Sequence, residues 1–278
     1  MIALASRYDV VFDAVAIDMA LQPDADTAEF KADQAARIMK AVTPLTPPEG
    51  IKYYQDLARA CDLSSPLFIQ AYLTILLIER LLQTATFFYV LRMPPELAAF
   101  RWVVDAKQAG GTDYERLWRS LILPLTQSNS VREPFAMIEG GDYSHFERFY
   151  VDSTSVPEHL KSYARGRGGL NFGLILSEHF TLGESVSTPG LRLVDILASA
   201  FTRALNGTLG GSGWRGLGGL MVSRRSATIK FTRLKVNGVS WSLNAAPYAN
   251  VVHDLEAETK AMFPDVPVYG GQRVSLVL

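Results

Sequence analysis

The chain has 278 residues, of which 48% are apolar and 20% are charged, and its formal net charge is −1. This composition is typical of a globular protein with a substantial core, and it excludes a disordered chain, a fibre and a uniformly basic nucleic-acid-binding protein. The single cysteine, Cys61, excludes an internal disulfide and a cysteine-based zinc site, and it suits a reducing, cytoplasmic compartment.

The first third of the chain is predicted to be mainly helical. Residues 8–19 mix aromatic and β-branched side chains and predict a strand, and apolar spacing predicts helices over residues 25–42 and 51–61. Residues 66–91 form the most apolar stretch, but it contains Glu79 and Arg80. Because a charged pair at mid-span is costly in lipid, we expect a buried core helix rather than a membrane span.

A short strand is predicted at residues 100–105, and it ends in a carboxylate. Asp105 stands at the carboxyl end of this strand, where ligands bind in open α/β sheets. The Lys107 side chain points to the same side of the chain as Asp105 if the strand continues. The alternative is that Asp105 begins a turn, since aspartate is a common turn residue.

The middle of the chain predicts shorter elements. Residues 113–123 predict a helix with Asp113 as its cap and Pro124 beyond its end, residues 135–138 and 170–180 predict strands, and residues 142–150 predict the start of a helix. Asp142 lies in the polar run GGDYSHF and is a candidate ligand. The alternative is that Asp142 only caps the following helix.

A second organising element is the helix predicted over residues 189–205. Thr188 suits the N-cap and Pro189 the first helical position, and Asn206-Gly207 suits the end. Asp195 lies on one face with Ser199 and Arg203. We expect the Asp195 and Asp105 side chains to converge on one pocket. Two carboxylates so placed repel each other unless a divalent cation, a shared proton or a lysine offsets their charge.

The remaining residues predict a glycine-rich run at 207–220, strands at 227–236 and 239–243, a helix at 251–262 and a strand at 273–278. Asn237-Gly238 predicts a hairpin between the first two strands. The run GSGWRG at 211–216 fits G-x-G-x-x-G, but a dinucleotide site needs a strand before it and a helix after it. Neither is predicted here, so we do not expect a dinucleotide cofactor.

Basic residues are concentrated in the last third of the chain. No aspartate or glutamate occurs between residues 196 and 253. Clustered cations are typical of a surface that faces a polyanion, although a solvated basic edge is the alternative. The candidate nucleic-acid-binding residues are Arg203, Arg224, Arg225, Lys230 and Arg233.

Four segments together resemble the domain-of-unknown-function 3800 family: FRWVVDAK at 100–107, DYERLW with LPLTQSNS within 113–130, GGDYSHF at 140–146 and GLRLVDILASAFTRALNG at 190–207. The resemblance implies a ribonuclease-H-like α/β fold, a mixed sheet flanked by helices, over residues 1–207. Residues 208–278 are then a β-rich extension with a glycine-rich loop and a hairpin, packed on that core. The family's first-strand Asp-x-Ser-Gly motif has no counterpart here, so either the sequence starts downstream of that strand or this member is inactive.

The resemblance also implies a function, that of metal-dependent nucleases associated with mobile elements or phage defence. It assigns Asp105 and Asp195 to a Mg²⁺ or Mn²⁺ site. Asp18 and Asp142 are the candidates for a third ligand, and Lys107, two residues after Asp105, is a candidate catalytic residue. We therefore expect hydrolysis of DNA or RNA phosphodiesters by a metal-activated water. The alternative is a catalytically inactive ribonuclease-H-like binding or interaction module, and a homo-oligomer fits either reading.

Overall fold

A computed structural model shows a mixed α/β protein and describes residues 2–105, 117–132, 135–152, 154, 169–224, 227–236, 243–264 and 276–277. The α-helices are α1 Ile2–Ser6, α2 Asp24–Lys40, α3 Pro48–Arg59, α4 Ser65–Tyr89, α5 Leu123–Arg132, α6 Phe172–Ser177, α7 Pro189–Leu205 and α8 Ala249–Ala257. The strands are β1 Val15–Ile17, β2 Trp102–Asp105, β3 Met137–Ile138, β4 Tyr150–Val151, β5 Gly169–Leu170, β6 Phe180–Gly183, β7 Lys230–Thr232 and β8 Leu276–Val277.

The strands form pairs. Among the described residues there are four two-stranded sheets: β1–β7 and β2–β6 are parallel, and β3–β8 and β4–β5 are antiparallel. In the β2–β6 pair, Asp105 lies opposite Gly183. In the β1–β7 pair, Val15 lies opposite Lys230, so a strand from residues 1–207 and a strand from residues 208–278 share one sheet.

Helix α4 runs through the core, as its apolar sequence predicts. Ten of its residues are buried, and its N-terminal and C-terminal halves contribute to two different hydrophobic clusters. In the part of the chain that the structure describes, α4 alone is long and apolar enough to cross a membrane. A buried core helix also has such a composition, and the burial of Arg80 within α4, with an ion-pair partner, identifies it as one.

Three hydrophobic clusters hold the elements together. One surrounds the C-terminal half of α4 with β2 and α6, a second joins α1, α7 and α8, and a third joins α2, α3 and the N-terminal half of α4. In the second cluster, α8 packs directly on the glycine-rich segment. A methyl group added at Gly218 would lie 2.4 Å from the carbonyl oxygen of Leu255, so this close approach needs glycine.

The prediction of one strand over residues 170–180 is wrong. The segment forms the end of β5, then helix α6 and then the start of β6. The side-chain oxygen of Asn171 accepts a hydrogen bond from the Leu174 N–H at 2.9 Å and caps α6. Phe172, Ile175 and Leu176 then fall on one buried helical face, so the apolar run satisfies helical rather than strand periodicity.

The predicted helix end at Pro124 is also wrong. A π-helix at Trp118–Ile122 leads directly into α5, and the helical path continues through Pro124 to Arg132. Proline lacks the N–H that an α-helical hydrogen bond requires at this point, and a π-turn is a common way to accommodate such an interruption. Residues 113–116 of this prediction lie outside the described residues.

Other boundaries differ in length or type. The predicted strand at 8–19 is ordered as a strand only at β1, and that at 227–236 only at β7. The predicted helix start at 142–150 is instead a 3-10 turn at Glu147–Phe149 followed by β4. The hairpin at 237–238 lies outside the described residues, while Leu243–Ala245 is a 3-10 turn rather than the end of a strand.

Candidate functional site

Asp105 lies where the sequence places it, at the carboxyl end of a strand. It is the last residue of β2 and is partly buried, and its Oδ1 accepts a hydrogen bond from the Ser185 N–H at 3.2 Å. The N-terminus of α7 packs against this strand end. A methyl group added at Gly183, which pairs with Asp105, would lie 3.2 Å from Leu191 Cδ1. The carboxylate therefore stands at a strand end that a helix covers from one side.

Asp195 lies in α7, one turn after Leu191, and its side chain is exposed. Residues four apart share a helical face, so Asp195 lies on the face of α7 that begins beside Gly183 and Asp105. The two aspartates thus belong to adjacent elements, β2 and α7. Their convergence on one metal ion stays a prediction.

Asp142 has a local structural role. Its Oδ1 accepts hydrogen bonds from the Ser144 N–H at 3.0 Å and from Ser144 Oγ at 2.6 Å, and these bonds lower the pKa of this exposed carboxyl. These bonds form a local turn and not the helix cap of the alternative, because the next element is the 3-10 turn at Glu147–Phe149. No group of three or more histidine, cysteine, aspartate or glutamate side chains placed to share an ion occurs within the described residues.

The basic candidates are dispersed. Arg203 is exposed and donates a hydrogen bond to the Thr208 carbonyl at 3.2 Å, and Arg233 pairs with Asp26 at 3.0 Å. Lys107 and Arg225 lie outside the described residues. Arg224 and Lys230, in contrast, line one cleft between α4, α5 and β7. The structure therefore brings together two of the five predicted cations.

This arginine cleft has a volume of about 430 Å³. One face of α4 supplies a large part of its wall, with side chains at the spacing i, i+3, i+4 and i+7. The segment around β7 and helix α5 with its following residues supply the rest. The lining residues are Leu76, Glu79, Arg80, Gln83, Asn129, Ser130, Phe135, Arg224, Ala227, Lys230 and Phe231.

Two guanidinium groups in this cleft share one carboxylate. Arg80 Nε donates to Asp13 Oδ1, and Arg224 Nη2 donates to Asp13 Oδ2 at 2.9 Å. Thr84 Oγ1 also donates to Asp13 Oδ2, at 2.9 Å. The side chains of Asp13, Arg80 and Arg224 are 4%, 7% and 11% exposed. A group of three buried charges is thus held by direct hydrogen bonds, with one cation in excess.

The remaining donors of the two arginines differ. Arg80 is held further by the carbonyl groups of Ala227, at 3.2 Å, and Thr228. Arg224 uses Nη2 for Asp13 and for the Arg80 carbonyl at 2.9 Å, and its Nε and Nη1 have no acceptor among the described residues. A guanidinium has five N–H donors in a planar fork. Arg224 therefore retains donors that a ligand in the cleft can accept.

The electrostatics of Arg224 reflect this crowding. Burial and, next, the positive charge of Arg80 lower the pKa of Arg224 to about 10, while Asp13 acts in the opposite direction. Arg224 is still a cation at neutral pH. Because the excess positive charge is partly desolvated, an anion entering the cleft gains more from it than from an exposed arginine.

The sequence contained one signal for this site. Glu79, Arg80 and Gln83 interrupt an otherwise apolar helix, and they lie on one face of it. The partner Asp13 had no comparable signal, because it lies 67 residues from Arg80 in a segment that reads as an apolar strand.

Comparison of the chain with models of known protein families, with curated proteins and with solved structures found no match in any of the three. The site is therefore interpreted from its own geometry, and the resemblance to the domain-of-unknown-function 3800 family stays a prediction.

Proposed function

We propose that this protein binds the phosphate groups of a nucleic acid, DNA or RNA, in the arginine cleft. The observation that carries the proposal is the pairing of two largely buried arginines with one aspartate at a cleft of about 430 Å³, where three described cations (Arg80, Arg224 and Lys230) face two described carboxylates (Asp13 and Glu79). A planar guanidinium matches the oxygen geometry of phosphate groups, as it does that of carboxylates, and binds both through two parallel hydrogen bonds.

Other groups in the cleft support an anionic, polar ligand. Lys230 is exposed at the cleft edge and its ammonium has no ion-pair partner among the described residues. The one acidic lining side chain, Glu79, accepts a hydrogen bond from the Asn129 amide at 2.8 Å and keeps its negative charge, so the cations of the cleft exceed its carboxylates and Asp13 by one. Arg224 and Lys230 can therefore contact successive phosphates. We also propose that this binding takes place in a reducing, cytoplasmic compartment.

A second candidate function is divalent-metal-dependent hydrolysis of the bound strand, on a ribonuclease-H-like arrangement of β2 and α7. It is favoured by the position of Asp105 at a strand end beside the helix that carries Asp195. Carboxylate oxygens suit Mg²⁺ and Mn²⁺, so the residue types fit such an ion, and Asp105 and Asp195 would hold it. A bound ion would supply an activated water for phosphodiester hydrolysis. Without such hydrolysis, the protein acts as a nucleic-acid-binding module.

The binding proposal is tested by anisotropy titrations of mixed-sequence single-stranded DNA and RNA against the wild type, Arg224→Ala and Arg203→Ala. Hydrogen bonds to charged groups contribute about 1.5–3 kcal/mol, so Arg224→Ala is expected to weaken binding roughly 10- to 100-fold. It should also reduce the slope of log K against log salt by roughly 0.7, the value of one phosphate contact on a single strand.

Arg203→Ala is the matched control: the sequence also predicts Arg203 as a nucleic-acid contact, but this arginine is exposed and does not line the cleft, so the binding proposal gives it no role. It should change affinity by less than about twofold. Lys230→Ala is a second variant whose side chain has no described partner, so it tests the cleft without disturbing the buried pairs. Absence of binding by the wild type at low salt, or equal losses in Arg203→Ala and Arg224→Ala, would contradict the proposal.

A further inference from the structure

A second cavity continues the arginine cleft along α4. This adjoining cavity has a volume of about 570 Å³ and lies between α2, α3, α4 and α5. Its lining residues are Phe30, Asp33, Gln34, Arg37, Ile38, Ala41, Tyr54, Leu57, Tyr72, Leu76, Glu79, Leu125, Ser128, Asn129, Lys230, Lys235 and Val236. Four of these also line the arginine cleft, namely Leu76, Glu79, Asn129 and Lys230. The two spaces therefore meet at these four residues, one of which, Lys230, is the first residue of β7.

The path through both spaces carries an excess of positive charge. Its described cations are Arg37, Arg80, Arg224, Lys230 and Lys235. Its described carboxylates are Asp33 and Glu79, which line the path, and Asp13, which is buried behind Arg80. Each of these carboxylates has a partner: Asp33 pairs with Arg37 at 2.6 Å, and Glu79 accepts from Asn129 at 2.8 Å. Lys235 makes only a long pair with Asp26, at 3.8 Å. Positive charge is thus present at both ends and at the junction.

Resting on the proposed binding of phosphate, we infer that the arginine cleft and the adjoining cavity form one track for an unpaired nucleic-acid strand. One phosphate lies at Arg224, the next lies at Lys230, and the strand continues along α4 towards Lys235.

The dimensions of the track select a single strand. Volumes of about 430 and 570 Å³ fall in the range of roughly 300–1,000 Å³ found for sites that enclose small molecules, which suits individual nucleotides. Duplex DNA instead spreads its contacts over roughly 1,000–2,500 Å² of protein surface. Phe135 and Phe231 also line the arginine cleft, and aromatic side chains bind unpaired bases without regard to sequence.

The test measures the affinities of a nucleoside 5′-monophosphate, a 5′-phosphorylated mixed-sequence trinucleotide and a blunt duplex by calorimetry and competition. The proteins compared are the wild type, Arg224→Ala, Lys235→Ala and Lys52→Ala. Lys52 is an exposed lysine on α3 that lines neither space, so Lys52→Ala is the matched control for Lys235→Ala.

We expect Arg224→Ala to weaken both the monophosphate and the trinucleotide at least tenfold. Lys235→Ala should weaken the trinucleotide roughly three- to tenfold and leave the monophosphate unchanged, because only the longer ligand reaches the adjoining cavity. Lys52→Ala should bind both like the wild type. The duplex should compete at least tenfold more weakly than a single strand of the same sequence.

The possible failures are distinguishable. If the wild type binds none of the three ligands at low salt, the proposed function itself is wrong. If binding depends on Arg224 but the duplex competes as well as the single strand, phosphate binding stands and the single-strand track is overturned. An equal loss of both short ligands in Lys235→Ala, or no loss of either, also overturns the track.

Discussion

Asp13→Asn is the substitution that probes the buried charges of the arginine cleft most strongly. Asp13 accepts hydrogen bonds from Arg80, Arg224 and Thr84 and is 4% exposed. An amide keeps the shape of the side chain but loses its charge, and its NH₂ group cannot accept from a guanidinium. Two mutually repelling cations would then remain buried without a counterion.

The expected cost follows from that burial. Removing one partner of a buried ion pair costs about 3–5 kcal/mol, because the remaining charge is uncompensated. For a domain of this size, 1 kcal/mol shifts Tm by roughly 2–4 °C, so Asp13→Asn should lower Tm by roughly 6–20 °C. The assay is thermal and urea unfolding followed by circular dichroism.

A surface pair provides the matched control. Asp56 pairs with Arg59 at 3.1 Å, and the two side chains are 52% and 69% exposed. Exposed pairs contribute about 0–1 kcal/mol, so Asp56→Asn should change Tm by no more than roughly 4 °C. If Asp13→Asn costs no more than Asp56→Asn, the buried cluster does not have the electrostatic role assigned to it.

Three further predictions concern other parts of the molecule. Asp105→Asn should abolish Mn²⁺ binding measured by calorimetry without changing the circular dichroism spectrum, because the amide keeps the shape but not the charge that a hard cation needs. Burial, then the negative charge of Asp18 and its hydrogen bond from the phenol, raise the pKa of Tyr248 to about 12. The folded state thus holds the Tyr248 proton more tightly than the unfolded chain does. The contribution of Tyr248 to stability is therefore complete below pH 10 and is lost as the pH rises through about 12. Urea unfolding at several pH values across that window measures the loss. Gly218→Ala should lower the free energy of unfolding by more than about 2 kcal/mol, because its methyl group would lie 2.4 Å from the Leu255 carbonyl oxygen and α8 would have to move.

Each of these predictions has a control. Asp142→Asn should retain Mn²⁺ binding, because the hydrogen bonds of this carboxylate within the described residues form a local turn with Ser144 rather than a site with Asp105. Equal loss in Asp105→Asn and Asp142→Asn would contradict the assignment to Asp105. Tyr248→Phe should reduce the loss of stability between pH 10 and 12 without removing it, because burial also raises the pKa of Tyr150 to about 12 and that of Cys61 to about 11. Gly210→Ala has open space around it and should be nearly neutral, and a cost equal to that of Gly218→Ala would refute the packing argument.

The helices were largely predictable from the sequence because their signals are local. The prediction for α7 is confirmed at both ends, since Pro189 is the first residue and Leu205 the last, with Asn206-Gly207 beyond. The long apolar stretch is confirmed as α4; of its two charged residues, Arg80 is buried in an ion pair with Asp13 and Glu79 lines the arginine cleft. Apolar spacing, proline at the start and glycine after the end are all readable within a few residues.

The strand pairing and the arginine cleft were not predictable in this way. The strand β1 pairs with β7, more than 200 residues later, and Asp13 meets Arg224 across 211 residues. Such contacts depend on the tertiary arrangement of helices, which no local pattern encodes. The error at residues 170–180 had a local cause, because a buried helix of six residues and a buried strand have the same apolar composition.

A crystal structure with a 5′-phosphorylated trinucleotide would show whether the arginine cleft binds phosphate through Arg224. We expect a phosphate oxygen within roughly 2.7–3.0 Å of Arg224 Nε or Nη1, with the next phosphate beside Lys230. A trinucleotide bound elsewhere on the protein, with Arg224 making no contact to it, would show that the cleft does not bind phosphate in this way.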